Sequence, residues 1–210
     1  MTPEDIERRY SEAVVEIRDG DTTPKIRGLA VVYDSLSHDL GGFREIIKPG
    51  AFDKILAKRG LDVMALFNHR SDAVLGRTTS GTLALENTDK GLAYTIDPPA
   101  TQLGRDTTEL IRRRDITGSS FAFTVDKTGE QWSREKGYRL RTITDASGLY
   151  DISPVTHAAY PQTGVAVRSM AAWDAAHEEP TVPAATKPRS LAGAFAAVSA
   201  TIARLANACG

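Results

Sequence analysis

The sequence predicts a β-rich α+β domain over residues 1–170, followed by a helical appendage. Three observations support this. Short runs of strand length, apolar or alternating, recur from residue 12 to residue 156, punctuated by Gly, Pro and Asp turns. Within that span only residues 51–60 and 102–114 carry clear helix signals. After Ser169 the composition shifts to Ala, Pro and charge, which marks a linker over 171–189 and an Ala-rich amphipathic helical tail over 190–210.

The elements follow in order. "EAVVEIR" (12–18) and "KIRGLAVVYD" (25–34) read as strands, the second with a bulge or close backbone approach at Gly28. Residues 35–44 read as a loop, and Pro49-Gly50 as a turn into the short helix "AFDKILAKRG", stopped by Gly60. "LDVMALFNH" (61–69) is mostly apolar, as a strand buried on both faces would be, and the chain turns near Gly76. Leu83 and Leu85, then Leu92, Tyr94 and Ile96, alternate about Asp89-Lys90-Gly91 and predict a hairpin. A polar helix over 102–114 precedes a strand over 119–125 and a charged connection. Two further strands flank Ser147-Gly148. In the tail, Leu191, Phe195, Val198, Ile202 and Leu205 form one stripe. Such a stripe calls for a partner.

Composition narrows the function. With 26 basic and 27 acidic residues the net charge is −1, so no nucleic-acid-binding surface is indicated. Arg112-Arg113-Arg114 reads as a solvated helix end. The one cysteine, Cys209, permits neither an internal disulfide nor a thiolate metal cage, which fits a reducing compartment. The acidic, polar start does not read as a signal peptide, and no apolar run approaches the ~18 residues that would cross a bilayer. The expected location is the cytoplasm. Phosphate-loop, Gly-x-Ser-x-Gly and His-Glu-x-x-His patterns are absent, and no metal or cofactor is expected.

The side chains able to do chemistry lie around "DITGSSFAF" (115–123). In a strand, Ser120, Ala122 and Thr124 share one face, while Ser119, Phe121, Phe123 and Val125 share the other. Ser119 therefore lies on the core-seeking side. Ser120 lies beside small residues that a substrate backbone can approach, so alternation selects it as the nucleophile. Spacing alone leaves a plain turn into a buried strand open, because serines after glycine commonly serve turns and caps. A serine needs a base, and the base needs an orienting partner. His69 ends an apolar strand and is the natural base; otherwise it is a hydrogen-bonded core histidine. The third member is Asp151 or His157. They share strand parity across Pro154; otherwise they are a strand acid and a packing residue.

Several blocks together resemble the prohead maturation proteases of HK97-type tailed bacteriophages, which are similar to the herpesvirus assembly proteases. The blocks are "IRGLAVVYD", "FREIIKPGAFDKIL", "LFNHR" with "LGRTTSGTLALENTDKGLAYTIDPP", "DITGSSFAFTV" and "DISPVTHAAYPQTGVAVRS". They run in order over residues 25–169. The resemblance implies a closed or nearly closed β-barrel with flanking helices and a serine endopeptidase activity. It implies cleavage of scaffold segments from the major capsid protein, and of the protease itself, inside the assembling prohead in the host cytoplasm. The family's histidine and serine fall on His69 and Ser120. Its acidic residue before Ser-Pro-Val falls on Asp151, whereas the second histidine of the herpesvirus relatives would fall on His157. Asp151 is the preferred third member. Ala122 stands where the family usually has glycine, and Ser119 where methionine is more common. The tail is expected to pair with scaffold or with another copy of the chain. The competing reading is a non-catalytic capsid scaffold or assembly protein on the same fold.

Overall fold

The computed structural model describes residues 6–11, 15–18, 23–135, 137–156 and 164–177. The chain divides into two compact units, Met1–Asp174 and Ala175–Gly210. Only residues 175–177 of the second are described, so His157, residues 178–189 and the tail 190–210 lie outside the described residues. The strands are β1 (Glu7–Ser11), β2 (Glu16–Arg18), β3 (Lys25–Val32), β4 (Phe43–Ile47), β5 (Met64–Leu66), β6 (Val74–Arg77), β7 (Leu83–Thr88), β8 (Gly91–Ile96), β9 (Gly118–Thr124), β10 (Glu130–Glu135), β11 (Tyr138–Ile143) and β12 (Gly148–Val155). The helices are α1 (Asp53–Leu56), α2 (Gln102–Arg112) and α3 (Gly164–His177).

The first unit is β-rich α+β, as expected, but its strands form three sheets: β1-β9-β12-β5-β6, β2-β3-β8-β7 and β10-β11-β4. No closed barrel is found among the described residues, which departs from the closed or nearly closed barrel the resemblance implied. Closure would require the edge at β6 to continue into another strand. Instead the Arg77 N–H donates to the Thr82 hydroxyl at 2.9 Å, and the turn carries the chain into β7 of another sheet.

The predicted hairpin is β7–β8, with Thr88 opposite Gly91. Gly91 is required by close approach, since a Cβ there would meet the Val31 carbonyl oxygen at 1.9 Å. Gly28 lies under the Tyr94 ring, and the bulge in β3 falls at Leu29/Val31, just beyond it. Gly76, expected in a turn, pairs within β6 with Ala65. The first helix is a single turn; the second is capped by the Thr101 hydroxyl, which accepts from Gly104 N–H. Residue 170 falls inside α3, so residues 171–177, expected as linker, are helical.

Inward faces of the five- and four-stranded sheets join α1 and α2 in one apolar cluster that includes Ile26, Leu75, Ile96, Ile111, Phe121 and Ile152. Phe52 meets Phe121 edge-on at 6.1 Å, anchoring the core side of β9. A second buried set is ionic. Arg9 and Arg141 interlock with Glu7 and Glu45, and Arg141 also binds Glu130. These side chains come from β1, β4, β10 and β11, so the cluster joins the five- and three-stranded sheets.

Candidate active site

The middle of the five-stranded sheet brings three of the predicted side chains together. In β9, Phe121 and Phe123 turn into the core, leaving Ser120 and Ala122 on the opposite face, as alternation requires. Ser120 has Tyr10 of β1 opposite on one side and Ser153 of β12 on the other.

Strand β12 needs a bulge to present its acid. Leu149 pairs with Phe123 and Asp151 pairs with Ala122, so Tyr150 is the extra residue. Without it, Leu149 and Asp151 would share a face. With it, Leu149 stays in the core and Asp151 joins the Ser120 face. Pro154 lies beyond the residues of β12 that pair with β5. Its carbonyl accepts the Asn68 N–H at 3.1 Å.

His69 lies three residues past the end of β5, in a tight turn rather than at the strand end itself. Asn68 and His69 both adopt left-handed backbone, with φ of 54° and 57°. Each costs about 1 kcal/mol for a residue with a Cβ, so the turn must be held from outside. The end of β12 and the residue after it hold it. Besides the Asn68–Pro154 bond, His69 N–H donates to Ser153 Oγ at 3.2 Å, and Thr156 N–H donates to Asn68 Oδ1 at 3.0 Å. Sequence reasoning missed both Asn68 and Ser153. The signal for Ser153 was its position two residues from Asp151, hence on the same strand face.

The imidazole bridges the other two groups. His69 Nε2 lies 2.6 Å from Ser120 Oγ, and Nδ1 lies 2.5 Å from Asp151 Oδ1. A carboxylate only accepts, so Nδ1 carries the proton and the Nε2 lone pair faces the serine hydroxyl. The site is sheltered but reachable: the His69 and Asp151 side chains are 15% and 11% exposed, and Ser120 is 6% exposed.

Ser119 is held elsewhere. It is fully buried on the core face, and its hydroxyl lies 2.7 Å from the Tyr94 hydroxyl. Burial drives the Tyr94 ionisation well above the ordinary phenol range, only partly opposed by that hydrogen bond. Among the described residues no group of three His, Cys, Asp or Glu side chains is arranged to hold a metal ion, and no helix is long and apolar enough to cross a membrane.

The family model for caudovirus prohead serine proteases matches residues 11–176. The chain belongs to this family. As a prohead serine protease it is a serine endopeptidase, and its place of action is the assembling capsid. The matched span contains His69, Ser120 and Asp151 and reaches into α3. Comparison with curated proteins and with solved structures gave no match.

Proposed function

We propose that Ser120, His69 and Asp151 form the catalytic triad of this prohead protease. Its substrates would be the scaffold segment of the major capsid protein and the protease chain itself. The observation that carries the reading is the continuous relay from Ser120 Oγ through both imidazole nitrogens to Asp151 Oδ1, with steps of 2.6 and 2.5 Å. Ser120 attacks the scissile carbonyl while its proton passes to His69 Nε2. The imidazolium, oriented and stabilised by Asp151, then protonates the leaving amine. Water repeats the sequence on the acyl-enzyme and frees Ser120. Processing takes place inside the prohead in the host cytoplasm, with the segment beyond residue 189 tethering the protease to scaffold or to a second copy.

Co-expression with the cognate major capsid protein tests this. The wild-type chain should shorten the capsid protein and trim itself. Ser120→Ala and His69→Ala should leave both at full length. Capsid processing that persists in both variants would refute the triad. No processing by the wild type would favour a non-catalytic assembly role.

A further inference from the structure

One fully buried hydroxyl touches two members of the proposed triad. Ser153 is 0% exposed and stands directly opposite Ser120 on the neighbouring strand. Its hydroxyl donates to Asp151 Oδ1 at 2.9 Å and accepts the His69 backbone N–H at 3.2 Å. The same oxygen lies 3.3 Å from His69 Nδ1. Asp151 Oδ1 therefore accepts two hydrogen bonds, one from the imidazole Nδ1–H and one from the Ser153 hydroxyl.

We infer that Ser153 is a positioning residue for the reaction, fixing the His69 ring and the Asp151 carboxylate. This rests on the triad reading above. The first effect is geometric. The His69 backbone is left-handed, and Ser153 is one of the few groups that hold it there. A ring held through its own backbone N–H and through Nδ1 has little freedom to swing Nε2 away from Ser120. The second effect is on the carboxylate. The Ser153 hydroxyl, bonded to Oδ1, fixes the orientation in which Asp151 meets Nδ1 of the ring. Asp151 is the charged group in contact with the ring, while Arg70 and Asp72 on the same turn pair with each other at 2.8 Å.

A fluorophosphonate probe tests this on the full chain without a known peptide substrate, because its reaction with Ser120 requires His69 to take the serine proton. Its second-order labelling rate is measured for wild type, Ser153→Ala, Ser153→Cys and Ser120→Ala. Ser153→Ala should label roughly tenfold to a hundredfold more slowly, the cost of a loosened reacting geometry. Ser153→Cys, near-isosteric but a weaker donor, should be slowed as well, because the hydroxyl's hydrogen bonds and not its volume are what is lost. A slowed Ser153→Ala beside a wild-type-like Ser153→Cys would mark a packing role and overturn the inference, as would wild-type behaviour of both. Where Ser153→Ala does not fold, Ser153→Cys decides alone: slowed labelling supports the inference and a wild-type rate overturns it. Full labelling of Ser120→Ala would instead sink the triad reading. An unlabelled Ser120→Ala beside a wild-type-like Ser153→Ala sinks only the role of Ser153.

Discussion

Ser119 and Ser120 carry the same hydroxyl, and the pleat of one strand gives them different surroundings. That separation was legible in the sequence, because two phenylalanines at 121 and 123 orient the strand. What each hydroxyl touches was not legible, since Tyr94 and His69 come from distant parts of the chain. Ser119→Ala should therefore keep fluorophosphonate labelling while losing about 1–2 kcal/mol of stability, because it leaves the fully buried Tyr94 hydroxyl without its partner. Urea unfolding reads the loss. Ser120→Ala should show the reverse, with labelling abolished and the unfolding midpoint within about 0.5 kcal/mol of wild type. Labelling lost in Ser119→Ala would mean the nucleophile had been placed on the wrong side of the strand.

Strands built on apolar alternation were readable from the sequence; those built on charge were not. The β7–β8 hairpin lies close to where alternation put it, and α2 lies within the polar helix expected over 102–114. Strand β1, "ERRYS", escaped notice because its inward residues are Glu7, Arg9 and Ser11, a pattern normally read as solvated. The "charged connection" before residue 138 is in fact β10, whose Glu130 joins the buried ionic cluster. Asp151 was found for its chemistry, but the bulge at Tyr150 that aims it left no composition signal. Where a glycine is demanded by backbone contact, the element should respond sharply. Gly91→Ala puts a Cβ 1.9 Å from the Val31 carbonyl oxygen on the paired strand, which cannot move without opening the β3–β8 ladder. A loss of about 2–3 kcal/mol in urea unfolding is expected. Thr101→Ala, which removes only the cap of α2, should cost about 1 kcal/mol. Equal losses for the two would mean that the ladder relaxes around the new methyl group.

At the scale of the whole first unit, the buried ionic cluster couples parts of the chain far apart in sequence. Arg141 donates to Glu7 at 2.8 and 2.9 Å, to Glu45 at 3.0 Å and to Glu130 at 2.5 Å, and Arg9 fills the remaining side of Glu7 and Glu45. Three carboxylates thus share two guanidiniums out of water, an arrangement that tolerates the loss of no partner. Arg141→Met should destabilise by about 3–5 kcal/mol, because it strands the glutamates rather than because the ion pairs were a large net gain. Glu7 supplies a pH signature. Burial pushes its carboxyl upward, but the Arg141 hydrogen bond and the charges of Arg9 and Arg141 outweigh burial and leave it below the ordinary glutamate range. A folded value below the unfolded one, about 4.3, means the stabilisation is complete above that pH and is lost as pH falls through the lower folded value. Wild type and Glu7→Gln should accordingly differ in urea midpoint by a constant amount from pH 7 to about pH 5. Below that the gap should narrow as Glu7 takes up its proton. A gap unchanged down to pH 3 would mean that the carboxylate contributes through packing alone, and that the charges tying the two sheets together are not what acid removes.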